Sequence, residues 1–141
     1  MTDLRHELSL WCQSYVTAFS AYDAPAISAH WRFPALIVQG ERALTFKSSE
    51  HFNMNTDALL GFYKTQNVES AKRTLLDCLS MGPDTASMTV ADRMLTPEGI
   101  VIVEWKAAYV LGRLSDGWKA VMAVADGEVN AWAARGTPLG R

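Results

Sequence analysis

Apolar side chains recur at steps of three and four through Leu4, Leu8, Trp11, Tyr15, Phe19 and Tyr22. That spacing predicts one face of an amphipathic helix over about residues 3–21. Asp23 can cap a second helix with Pro25 in its first turn, where the missing N–H costs little. Ile27, His30 and Trp31 would form its inner stripe, and Pro34 would end it. Short strands are expected at 35–38 and 42–46 around a Gly40-Glu41 turn. Ser49 is placed to cap a third helix, with Glu50 at the positive end of its dipole and Phe52, Leu59, Leu60 and Tyr63 as its apolar stripe. The pattern then changes to β-rich runs at 71–81, 85–95, 100–114 and 118–125, separated by Gly82-Pro83-Asp84, Pro97-Glu98-Gly99 and Asp116-Gly117. Asp-Gly between two such runs is a strong hairpin signal. A two-residue turn there pairs Leu111 with Met122 and Val110 with Ala123. The tail, about 126–141, is expected to fray. The order of elements predicts a single α+β domain spanning 1–141.

Composition narrows this picture. The 141 residues are 49% apolar and 20% charged, which suits a globular chain with its own core. A formal net charge of −2 argues against a nucleic-acid partner. Cys12 and Cys78 lie on apolar segments without a spaced framework, and read as buried thiols in a reducing compartment. The N-terminus lacks the pattern of a signal peptide, and no run approaches the ~20 apolar residues that span a bilayer. A cytoplasmic protein without membrane contact is the expectation. His6, His30 and His51 lack metal-ligand spacing, so neither a metal nor a cofactor is expected.

Two stretches carry a family resemblance: Tyr15-Val-Thr-Ala-Phe-Ser-Ala-Tyr-Asp-Ala-Pro-Ala-Ile27, and Tyr109-Val-Leu-Gly-Arg-Leu-Ser-Asp-Gly-Trp-Lys119. With the order of elements, they resemble the nuclear-transport-factor-2-like (NTF2-like) superfamily, in its SnoaL-like and ketosteroid-isomerase-like branches. The resemblance implies a cystatin-like cone, with three N-terminal helices packed on a curved, mostly antiparallel sheet. It also implies where a steroid isomerase would keep its chemistry. The oxyanion-donor tyrosine of the first helix matches Tyr15. The aspartate base matches Gln39, which cannot take a proton, and the second oxyanion donor matches Val110. Steroid isomerisation by that mechanism is therefore not expected. The resemblance puts Val110, Val121 and Ala123 inside the cone, whereas the turn alone leaves the inward face of the hairpin open.

The candidate chemistry is sparse. Tyr15 can donate to a ligand carbonyl, or can be a core tyrosine bonded to backbone. His30 can transfer protons near neutrality, or can cap a helix end. Asp77, Asp92 and Glu104 lie in apolar strands, where a carboxylate is costly unless paired; Asp92 is the catalytic candidate among them. Trp11, Tyr15, Phe19, Trp31 and Tyr63, with Gln39 and Val110, are the expected lining of a pocket. Two functions follow. One is a site for a small, largely apolar molecule, with an isomerase, dehydratase or cyclase activity conceivable there. The other is a non-catalytic homodimeric module, paired through an outer stripe of Trp105, Tyr109, Leu111, Met122 and Val124.

Overall fold

The computed structural model describes residues 3–139. Helices α1 (Leu4–Ser20) and α2 (Ala24–Ser28) lead into strands β1 (Trp31–Gln39) and β2 (Arg42–Phe46). Helix α3 (Ser49–Thr65) follows, then β3 (Ser70–Gly82), β4 (Thr85–Leu95), β5 (Val101–Leu114), β6 (Gly117–Val124) and helix α4 (Asp126–Ala134). The strands form one curved, unclosed sheet in the order β2-β1-β6-β5-β4-β3. Only β1 and β6 run parallel; every other neighbouring pair is antiparallel. The architecture is the α+β cone that the order of elements implied.

The apolar face of α1 does what its spacing requires: Leu8, Trp11, Cys12 and Tyr15 are buried. Asp23 caps α2 through its side chain, which accepts from the Ala26 N–H at 3.1 Å. That helix is shorter than expected, and β1 starts at Trp31 rather than Ala35. The reason was already present in Pro34, which pushes Phe33 toward extended geometry. Trp31 then pairs with Ala120 of β6, whose N–H donates to the His30 carbonyl at 2.9 Å. The cap of α3 is Ser48, not Ser49: its hydroxyl accepts from the His51 N–H at 3.2 Å.

Two larger corrections concern the C-terminal third. The β5–β6 turn closes on Leu114 and Gly117, so Ser115 and Asp116 occupy the two turn positions. Leu111 faces Ala120, and after a register shift Val110 faces Met122 and Tyr109 faces Ala123. This β-bulge puts one extra residue in β6 and changes which side chains share a face. Trp105, Tyr109 and Leu111, expected on the outside, are instead buried in the core. Val110, expected inside, takes the opposite face from Tyr109 by strand alternation. The second correction is the tail. Residues 126–134 form α4 rather than fraying, and Trp132 is fully buried, packed edge-on against Phe62 at 5.0 Å and tilted against Tyr63 at 6.0 Å. Residues 140–141 of the expected fraying segment lie outside the described residues.

Candidate functional site

Alternation along β3 points Arg73 into the cone on the same side as Leu75. A buried guanidinium there needs a counter-charge, and Asp92 on β4 supplies it as the cross-strand neighbour. Arg73 Nε donates to Asp92 Oδ1 at 2.6 Å and Nη2 to Oδ2 at 2.8 Å. Their side chains are 4% and 7% exposed. Nη2 also donates to the Tyr109 hydroxyl at 2.8 Å, while Nη1 is buried without a hydrogen-bond partner. The guanidinium carbon lies 4.7 Å from the Tyr109 ring centre and 5.2 Å from that of Tyr15, close enough for cation–π attraction.

Tyr15 is reached from β1. Trp31 Nε1 donates to its hydroxyl oxygen at 2.9 Å. Tyr15 and Tyr109 are thus in the same state. Each hydroxyl oxygen accepts a bond, from Trp31 and from Arg73, and neither hydroxyl proton has an acceptor among the described residues. Burial pushes both phenols above the usual tyrosine value, so both remain protonated donors.

The opposite wall comes from α4. Gly127 lets this helix approach β5, since a Cβ at that position would collide with the Lys106 carbonyl oxygen. The contact brings Glu128 to the cone. Its Oε2 accepts from the Tyr63 hydroxyl of α3, and from Trp132 Nε1 at 3.2 Å. Burial pushes the Glu128 carboxyl up from its ordinary 4.5 to about 7, against those two bonds and the Arg73 charge, which pull it down; the Asp92 charge adds to the rise. A carboxyl of that kind changes protonation state near neutrality and suits proton transfer.

These groups share one cavity of about 60 Å³, lined by Tyr15, Phe19, Tyr63, Trp105 and Tyr109, by Arg73, Asp92 and Glu128, and by small apolar side chains including Ala123. Of the residues expected from sequence, Tyr15, Phe19, Tyr63 and Asp92 meet there. Trp11 stacks behind Tyr15 at 4.8 Å, with its own Nε1 unpartnered. Trp31 lies outside the lining and is joined to it by its bond to the Tyr15 hydroxyl. Gln39 ends β1 beside the turn, away from the cavity lining. His30 is likewise outside: its Nδ1–H donates to the Ala26 carbonyl at 2.8 Å, which leaves Nε2 to accept from Ser14 Oγ at 2.7 Å. Val110 does not line the cavity either, but the adjacent Tyr109 does. Asp77 and Glu104 are exposed. Among the described residues, no three His, Cys, Asp or Glu side chains gather as metal ligands would.

Arg73 and Glu128 were not singled out from sequence. Arg73 carried a usable signal, because it interrupts the alternating apolar positions Ala71 and Leu75. Glu128 carried only its i,i+4 relation to Trp132, in a stretch read as a tail.

Helices over an open, curved sheet around a small polar-ended cavity define a class of cone-shaped α+β proteins. Within it, the chain belongs to the family described as NTF2-like protein (DUF6841), whose model matches residues 6–128. Among curated protein sequences no relative matches the chain. Solved structures resemble it in fold. A ketosteroid isomerase-like protein from Erwinia carotovora atroseptica SCRI1043 shares 14% identity over 88% of this chain and 95% of its own, with a TM-score of 0.63. A domain of unknown function with a cystatin-like fold from Nostoc punctiforme shares 12% identity over 87% and 77%, at 0.68. An NTF2-like protein of unknown function from Shewanella oneidensis MR-1 shares 9% over 85% and 96%, at 0.67. No helix among the described residues is long and apolar enough to cross a membrane.

Proposed function

We propose that the protein binds a small, largely apolar carbonyl compound in the cone and moves a proton to and from the carbon beside the carbonyl. The observation that carries this reading is a pair of tyrosines lining the same cavity as Glu128, whose hydroxyl oxygens each accept a bond and whose hydroxyl protons have no acceptor among the described residues. Two free donors suit an oxygen that gains negative charge during reaction. Glu128 has both of its protein bonds on Oε2, which leaves Oε1 without a protein partner.

In the reaction, Glu128 carboxylate takes a proton from the α-carbon. The C–H electrons form the enolate C=C bond, the carbonyl π electrons move onto oxygen, and Tyr15 and Tyr109 stabilise that oxygen. Return of the proton to the same carbon gives exchange; return to a conjugated carbon gives isomerisation. The three roles of a steroid isomerase thereby recur, with Tyr109 in place of Val110 and Glu128 in place of Gln39. One structural neighbour is named ketosteroid isomerase-like, which agrees with the reaction class. A steroid itself does not suit a 60 Å³ cavity, far below the ~300–1,000 Å³ of drug-sized sites.

The test is hydrogen–deuterium exchange at the α-carbon of small enolisable ketones in heavy water, followed by NMR. The native protein should accelerate exchange above the buffer rate. Glu128→Gln should lose about 10²–10⁴-fold, and Tyr109→Phe about 10²-fold. Ketones that bind without any gain in exchange would contradict the proposal.

A further inference from the structure

Resting on that reading, we infer that the substrate is a short, uncharged ketone or aldehyde, and that a carboxylate of the same shape enters only together with a proton. The size limit comes from the cavity. A water needs about 10–15 Å³ of such space, so 60 Å³ accommodates roughly four to six non-hydrogen atoms.

The charge limit comes from how the ionic groups are already used. Arg73, Asp92 and Glu128 are the charged residues of the lining. Arg73 commits Nε and Nη2 to both Asp92 oxygens, so the pair offers a ligand no net charge. With Glu128 ionised, the lining carries one net negative charge; with Glu128 protonated, none. A neutral carbonyl oxygen can take bonds from Tyr15, Tyr109 or Arg73 Nη1 without changing that balance. A carboxylate would add a second uncompensated negative charge in a poorly solvated space. It becomes compatible when Glu128 takes up a proton. An ammonium would match Glu128 but meet three donors, with both Asp92 oxygens already taken by Arg73.

The proton belongs to Glu128 because of what surrounds it. Tyr63 of α3 and Trp132 of α4 donate to it, and Tyr109 of β5, Arg73 of β3 and Asp92 of β4 complete its electrostatic environment. Both tyrosines are pushed above their ordinary values and stay neutral around pH 7. Glu128, at about 7, is the group that responds in that range.

The experiment compares methyl isopropyl ketone with isobutyrate, two probes of nearly the same shape. Binding to the intact chain is measured by ligand-observed NMR from about pH 6 to about pH 8.5, a range in which isobutyrate stays ionised. The ketone dissociation constant should change by less than about threefold, as no charged partner titrates with it. That of isobutyrate should rise about tenfold per pH unit above 7, as the protonated fraction of Glu128 falls. In Glu128→Gln, where an amide replaces the protonated carboxyl, isobutyrate binding should lose its pH dependence. Isobutyrate bound as tightly as the ketone at the alkaline end would overturn the inference and make Arg73 an anion receptor. Binding of neither probe would overturn it together with the cavity reading. Exchange at the ketone α-carbon, recorded in the same samples, reports the proton-transfer reading separately.

Discussion

Glu128 and the Arg73–Asp92 pair contribute in opposite ways to stability. Because the Glu128 value is raised, the folded state holds a proton that the unfolded chain has released. Its contribution is neutral below the unfolded value, near 4.5, and becomes a growing penalty as pH rises to about 7. The shift corresponds to at most about 3 kcal/mol. Glu128→Gln keeps an oxygen to accept from Tyr63 and Trp132, so it should raise the unfolding free energy at pH 8 and leave it nearly unchanged near pH 4; urea unfolding at both pH values checks this. A variant no more stable at pH 8 would mean that the carboxyl is solvated. Arg73→Met, in contrast, leaves Asp92 buried and unpaired, and should cost about 3–5 kcal/mol. Arg73→Met with Asp92→Leu should recover much of that loss. At this scale the sequence was legible where one residue speaks for itself. Tyr15 lies on the inner face of a strongly periodic helix, and Asp92 sits in an apolar strand. Arg73 and Glu128 were hidden because each matters through its partners, and those partners, Trp132 apart, are 19 to 65 residues away in the chain.

The hairpin of β5 and β6 shows why elements were easier to locate than to orient. Both strands are evident from their β-rich runs and the turn between them. A bulge, however, leaves no mark in apolar periodicity when both faces are apolar, and one extra residue exchanges the two faces. Leu111→Glu distinguishes the two arrangements. On an outer stripe it would separate subunits and leave each folded. At the observed position, fully buried, it should abolish cooperative unfolding, read by circular dichroism. A folded, monomeric variant would restore the register expected from the turn. Helix α4 was missed for a related reason. Its Ala- and Gly-containing sequence has little intrinsic amphipathic pattern, and it is held by Trp132 and by the bond from the Gly40 N–H to Asp126 Oδ1, at 2.9 Å. Trp132→Ala should cost about 3–5 kcal/mol and, by releasing α4, should also weaken ligand binding. Truncation of this buried ring without any effect on binding would separate α4 from the site.

For the whole molecule, the order of helices and strands sufficed to expect the cone, since a curved antiparallel sheet with helices on one face is a compact way to bury these apolar faces. What the cone holds depends on side chains converging from α1, α3, α4 and four sheet strands, and no local pattern records that convergence. The central claim is that this convergence gives one carboxyl the protonation behaviour of an acid–base group at neutral pH. The most direct measurement is an NMR titration of the Glu128 carboxyl carbon in the intact protein, assigned by comparison with Glu128→Gln. A midpoint at about 7 is the expected result, and a midpoint near the ordinary 4.5 would contradict the account.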